Sequence, residues 1–124
     1  MKHLLTTLLL FIGLTALAQP AYLDLFIQFD NYPQENSWII QAVSPDQDTS
    51  LVAQNPSYNF PVFQNGTTTE RILLQANTNY IFTMFDEFED GICCEYGEGF
   101  FAAGNDCQGL IFEDPLFDSG EVSY

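Results

Sequence analysis

Beyond its third residue the chain contains no histidine and no lysine, and its one cation from there on is Arg71. Ser-His-Asp, Cys-His, Ser-Lys and Schiff-base catalysis each require a side chain that is missing, so none can be assembled. Zinc sites built on histidine are excluded in the same way. The chemistry that survives uses carboxylates in pairs or a bound metal. Positive charge is scarce while negative charge is not: seventeen carboxylates leave a formal net charge of −15. A polyanion would be repelled, which excludes nucleic acid as a partner. Anionic membrane surfaces are disfavoured for the same reason. Cations, or a cationic protein surface, are the complements of such a field, and solubility of an exported protein is the plainer use of it.

Long apolar runs are also few. The one that stands out is N-terminal, where Met1-Lys2-His3 precedes an apolar stretch from Leu4 to Leu17 and small residues flank Leu17 at Ala16 and Ala18. This reads as a secretory signal peptide over residues 1–18, cleaved after Ala18. The run falls short of the roughly 20 residues that a spanning helix needs. Gln19, not a cysteine, follows the cleavage position, so a lipid anchor is not expected. The expectation is an extracellular domain over residues 19–124, with no membrane contact once the leader is gone. Disorder is excluded, because the chain is 47% hydrophobic and 15% aromatic.

No window sustains a helical period. Strand-like runs of period two recur instead at Tyr22 to Phe29, Trp38 to Val43, Tyr58 to Phe63, Arg71 to Gln75, Tyr80 to Phe85, Gly99 to Ala103, Leu110 to Phe112 and Val122 to Tyr124. Turn signals such as Asn-Tyr-Pro, Ser-Pro-Asp, Asn-Pro-Ser and Asn-Gly-Thr separate them. The fold class is therefore all-β: a single antiparallel β-sandwich or jelly-roll-like domain of about seven or eight strands. Ala103-Gly104-Asn105-Asp106 marks the clearest hairpin turn.

Cysteine is sparse and odd in number: Cys93, Cys94 and Cys107. Neighbouring residues in a strand face opposite ways, so the adjacent pair cannot easily both reach Cys107. The preferred arrangement is one bridge from the pair to Cys107 with the remaining cysteine buried; a vicinal bridge would demand a sharp turn. No nearby cation lowers a thiol pKa, which argues against a reactive cysteine.

Two segments carry the polar chemistry. The stretch from Asp86 to Gly99 combines carboxylates, glycines and the vicinal cysteines directly after an apolar run. Asp30-Asn-Tyr-Pro-Gln-Glu-Asn-Ser-Trp38 places acids in a proline-stiffened turn. Calcium takes six to eight oxygens from carboxylates and carbonyls, so Asp30, Glu35, Asp86 and Asp90 are the candidate metal ligands of a site joining the two loops. An EF-hand does not fit, because Phe88 and Gly97 occupy its third and twelfth positions. The alternative is that these acids cap turns by accepting backbone N–H groups.

The same residues resemble a β-sandwich module of secreted multidomain proteins in marine bacteria and microalgae. Its pattern is Asp-x-Tyr-Pro-x-Glu-x-Ser-Trp, then Tyr-x-Phe-x-x-x-Asp, then Asp-Gly-Ile-Cys-Cys-x-Tyr-Gly-x-Gly, met here by Asp30 to Trp38, Tyr80 to Asp86 and Asp90 to Gly99. The resemblance implies an extracellular accessory or adhesion-type domain, found beside secreted peptidases and other hydrolases, with no ligand to carry over. The chain departs from the pattern at Glu89, where the module has glycine. It also has Leu74 and Asn79 in the region where the module places cysteines that partner the vicinal pair.

The twelve phenylalanines, six tyrosines and one tryptophan divide between core and surface. Trp38 alternates into the core, whereas Tyr32, Tyr58 and Tyr96 lie in or beside turns and are the candidate ligand contacts for a glycan. The functional expectation is a secreted, non-catalytic binding or adhesion module, calcium-stabilised, that engages a carbohydrate or a surface. Its rivals are an acidic structural or inhibitor-like protein that docks a basic partner, and a small carboxylate-based hydrolase.

Overall fold

The computed structural model describes residues 20–106 and 108–124, and so the leader read over 1–18 lies outside the described residues. Eight strands follow one another: β1 (Ala21–Gln28), β2 (Asn36–Val43), β3 (Thr49–Gln54), β4 (Thr67–Leu74), β5 (Asn79–Asp86), β6 (Phe100–Asn105), β7 (Gly109–Asp114) and β8 (Glu121–Ser123). They form two antiparallel sheets, ordered β4-β1-β6-β7 and β3-β2-β5-β8. The architecture is a β-sandwich.

Alternation along the inner strands makes the core. Leu23, Leu25 and Ile27 of β1, Trp38 and Ile40 of β2, Phe82 and Met84 of β5, and Phe101 and Ala103 of β6 are buried. Side chains two apart on a strand share a face, so each strand needs only its alternate positions apolar. Rings interlock across the sheets: Phe82 lies 5.6 Å from Phe101 and 5.0 Å from Phe112. On the outer face of β1 and β4, Arg71 and Asp24 are register partners joined by two hydrogen bonds of 2.7 Å. That bond to the guanidinium lowers the Asp24 pKa.

The antiparallel order sorts the loops by pole. The β1–β2, β3–β4, β5–β6 and β7–β8 connections gather at one end of the sandwich, and the short β2–β3, β4–β5 and β6–β7 connections at the other. Both polar segments of the sequence therefore meet at the first pole.

Two sequence expectations need correction, and one strand was not among them. Tyr58 to Phe63 forms no strand; it belongs to the β3–β4 loop, where Pro56 and Pro61 interrupt any ladder and the aromatics fold inward instead. Phe29, Tyr58 and Phe63 form a ring cluster with centroids 4.7 to 5.8 Å apart. The strand that does pair there is β3, an edge strand with almost every residue exposed, which leaves no alternation to read. The β6–β7 turn also begins later than Ala103, because β6 continues through Gly104 and Asn105 across a register shift.

Candidate functional site

The inward stripe of β5 runs Phe82, Met84, Asp86, and that of β2 runs Ile40, Trp38, Asn36. Asn36 and Asp86 are register partners, so their side chains share the inner face where the strand pair leaves the core. Alternation thus drives one amide and one carboxylate into the interior at the loop-rich pole. Asp86 is 5% exposed and Asn36 4%.

Each of these residues is half satisfied. Asp86 Oδ2 accepts the backbone N–H groups of Asp90 and Gly91, both at 2.8 Å. The Asn36 amide nitrogen donates to the Tyr32 carbonyl at 3.3 Å. Asp86 Oδ1 and Asn36 Oδ1 are buried with no hydrogen-bond partner among the described residues. An unsatisfied buried acceptor costs about 1–3 kcal/mol, and more when charged, so both oxygens call for a donor or a cation.

Glu35 and Asp90 complete the group. One carboxylate oxygen from each of Glu35, Asp86 and Asp90 lies within 4.8 Å of the others. Glu35 comes from the turn Pro33–Glu35, which proline initiates, and its carbonyl accepts the Glu87 N–H at 3.0 Å. Asp90 is set by the bend at Gly91, where a positive φ of 73° suits glycine and a side chain would collide with the Phe117 backbone. Burial, and then the charges of Asp86, Asp90, Asp30 and Glu87, push the Glu35 carboxyl up to about 7. Burial likewise raises Asp86 and Asp30. Three acids this close resist being charged together without a cation.

Asp30, the fourth expected ligand, stands apart from that trio. Its Oδ1 accepts the Tyr32 N–H at 2.8 Å and its carbonyl the Asn65 N–H at 2.7 Å, so it ties the β1–β2 loop to the β3–β4 loop. Gly97 lies directly against it; a Cβ there would meet the Asp30 Cβ at 2.9 Å. The β5–β6 loop is thereby clasped onto the β1–β2 loop, with the Asn31 N–H donating to the Tyr96 carbonyl at 3.2 Å. Asp30 and Asp86 thus also cap turns, as the alternative reading expected, and the trio arises in addition.

The cysteine expectation is overturned. Cys93 and Cys94 are bonded to each other, which leaves neither for Cys107; Cys107 itself lies outside the described residues. The required sharp turn is present: Cys94 adopts a φ of 84°, its N–H donates to the Gly97 carbonyl at 2.6 Å, and Cys93 bridges to Glu98.

Of the tyrosines expected at the surface, Tyr32 and Tyr96 are exposed and pack edge to face with centroids 5.6 Å apart. Tyr58 is not a surface residue. It is 3% exposed, and its hydroxyl accepts the Trp38 indole N–H at 2.8 Å, so it completes the core.

Beside the carboxylates a cleft of about 590 Å³ opens, lined by Glu35, Asn36 and Asp86 together with Gln34, Ser57 and Asn59. Sequence reasoning missed Asn36, Ser57 and Asn59, because they reach the cleft only through strand register and the fold-back of the β3–β4 loop. The molecule is thus a β-sandwich with a carboxylate-lined cleft at one pole. Comparison with protein-family models, with curated proteins and with solved structures gave no match for this chain.

Proposed function

We propose that this protein is a secreted, non-catalytic binding module whose loop-rich pole is held together by a hard divalent cation, calcium by preference, at Glu35, Asp86 and Asp90. The observation that carries the reading is Asp86: a carboxylate 5% exposed, with one oxygen fixed by two N–H donors and the other unpartnered beside two further acids. A cation satisfies that oxygen and removes the mutual repulsion at one stroke. Secretion rests on the leader-like N-terminus, and the module class on the resemblance of Asp30 to Trp38 and Asp90 to Gly99 to extracellular accessory domains. Thermal melting with calcium and with chelator tests the reading. Calcium raises the melting temperature by several degrees if it binds only the folded state, and a melting temperature that calcium leaves unmoved sinks it.

A hydrolase reading has one observation in its favour, the acids Glu35 and Asp86 lining the same cleft. Against it, Asp86 is buried and pinned by two backbone donors, so it cannot advance on a substrate carbon as a nucleophile must. Release of reducing sugar from polysaccharides by the wild type, abolished in Glu35→Gln, would establish the hydrolase instead.

A further inference from the structure

We propose that the cleft beside Glu35 and Asp86 binds a neutral sugar whose adjacent hydroxyls complete the coordination of the cation, an inference that rests on the cation reading above. One oxygen each from Glu35, Asp86 and Asp90 would leave roughly three to five of the six to eight positions calcium fills. Glu35, Asn36 and Asp86 line the cleft, so a ligand held there would lie next to the acids that hold the cation. A vicinal diol supplies two oxygens from neighbouring carbons, and so can take two of those positions with a single ligand.

The other polar residues lining the cleft match such a ligand. Gln34, Ser57 and Asn59 are exposed and offer donors and acceptors together, as sugar hydroxyls require. A volume of about 590 Å³ falls within the range of small-molecule sites. Charge selects among sugars: Glu87 lines the same cleft and the chain carries a net charge of −15, so uronic acids and sialic acids are repelled and neutral hexoses are not. A lysine-rich partner could also pair with the acids that line the cleft, Glu35 and Glu87, but it would compete with the cation. Calcium therefore strengthens the binding of a sugar and weakens that of a basic peptide.

The test is a glycan array probed with the full exported protein, in millimolar calcium and in chelator, with oligolysine as a parallel probe. The expected result is retention on neutral glycans that end in a cis-diol hexose, falling at least about tenfold in chelator. Asn59→Ala should weaken that retention while the calcium-induced melting shift persists, and Glu35→Gln should abolish both. Silence across the array in calcium, with the melting shift present, overturns the sugar and leaves the cation reading standing. Glycan retention indifferent to chelator, with no melting shift, overturns both. Oligolysine retention that calcium abolishes replaces the sugar with a basic partner.

Discussion

Asp86 and Glu35 carry opposite demands at the scale of single residues: the fold needs them close, and their charges push them apart. Glu35 shows the consequence through its proton. Its carboxyl is raised from 4.5 to about 7 in the folded state, so the folded chain binds a proton that the unfolded chain releases. The contribution to stability is fully present below pH 4.5 and is lost as the pH rises through about 7. The melting temperature of the cation-free protein should fall over that interval. Glu35→Gln should flatten the fall and raise the melting temperature at pH 7.5, and a scan of melting against pH for both proteins checks it. Tyr58 makes a separate residue-scale prediction. Tyr58→Phe leaves the buried Trp38 indole N–H without its acceptor and should cost about 1–3 kcal/mol in denaturant unfolding, with little effect on calcium binding.

Among the elements, the inner strands were legible in the sequence because they sit between neighbours and bury one face. β1, β2, β5 and β6 show the alternation that Leu23, Leu25 and Ile27 illustrate. β3 was illegible for the opposite reason, since an edge strand with exposed Leu51 and Val52 has no buried face to mark it. The candidate site was legible by half. Glu35, Asp86 and Asp90 announce themselves as acids in or beside turns, but Asn36 joins them only through its register with Asp86, which no local pattern encodes. The vicinal bridge was the less favoured arrangement in the sequence because the turn that permits it depends on the Gly97 carbonyl and the clasp on Asp30. A bridge between adjacent cysteines closes the smallest of loops, so its entropic contribution is about 1 kcal/mol, well below that of a long-range disulfide. Mild reduction should therefore lower the melting temperature by only a few degrees. Hydrogen exchange after reduction should speed at Asn31 and Cys94, whose N–H groups bond to Tyr96 and Gly97, and leave β2 and β5 protected.

Charge is a property of the whole molecule. With a net charge of −15 and Arg71 already paired to Asp24, the sandwich repels itself at long range. Monovalent salt screens such repulsion within about 10 Å at 0.1 M. The melting temperature of the cation-free protein should rise steadily as sodium chloride increases, and calcium should raise it further at concentrations too low to screen. Equal effects of calcium and sodium at matched ionic strength would mean that the acids act only as a diffuse field.

The pairing of Asn36 with Asp86 has one more consequence, a mechanical one. These residues are the last rungs of the ladder between β2 and β5, which runs unbroken to Val43 and Asn79 and forms the middle of its sheet. A cation bound as proposed at that end would tie the ends of β2 and β5 together, so fraying of the ladder from this pole would be opposed at its first rung.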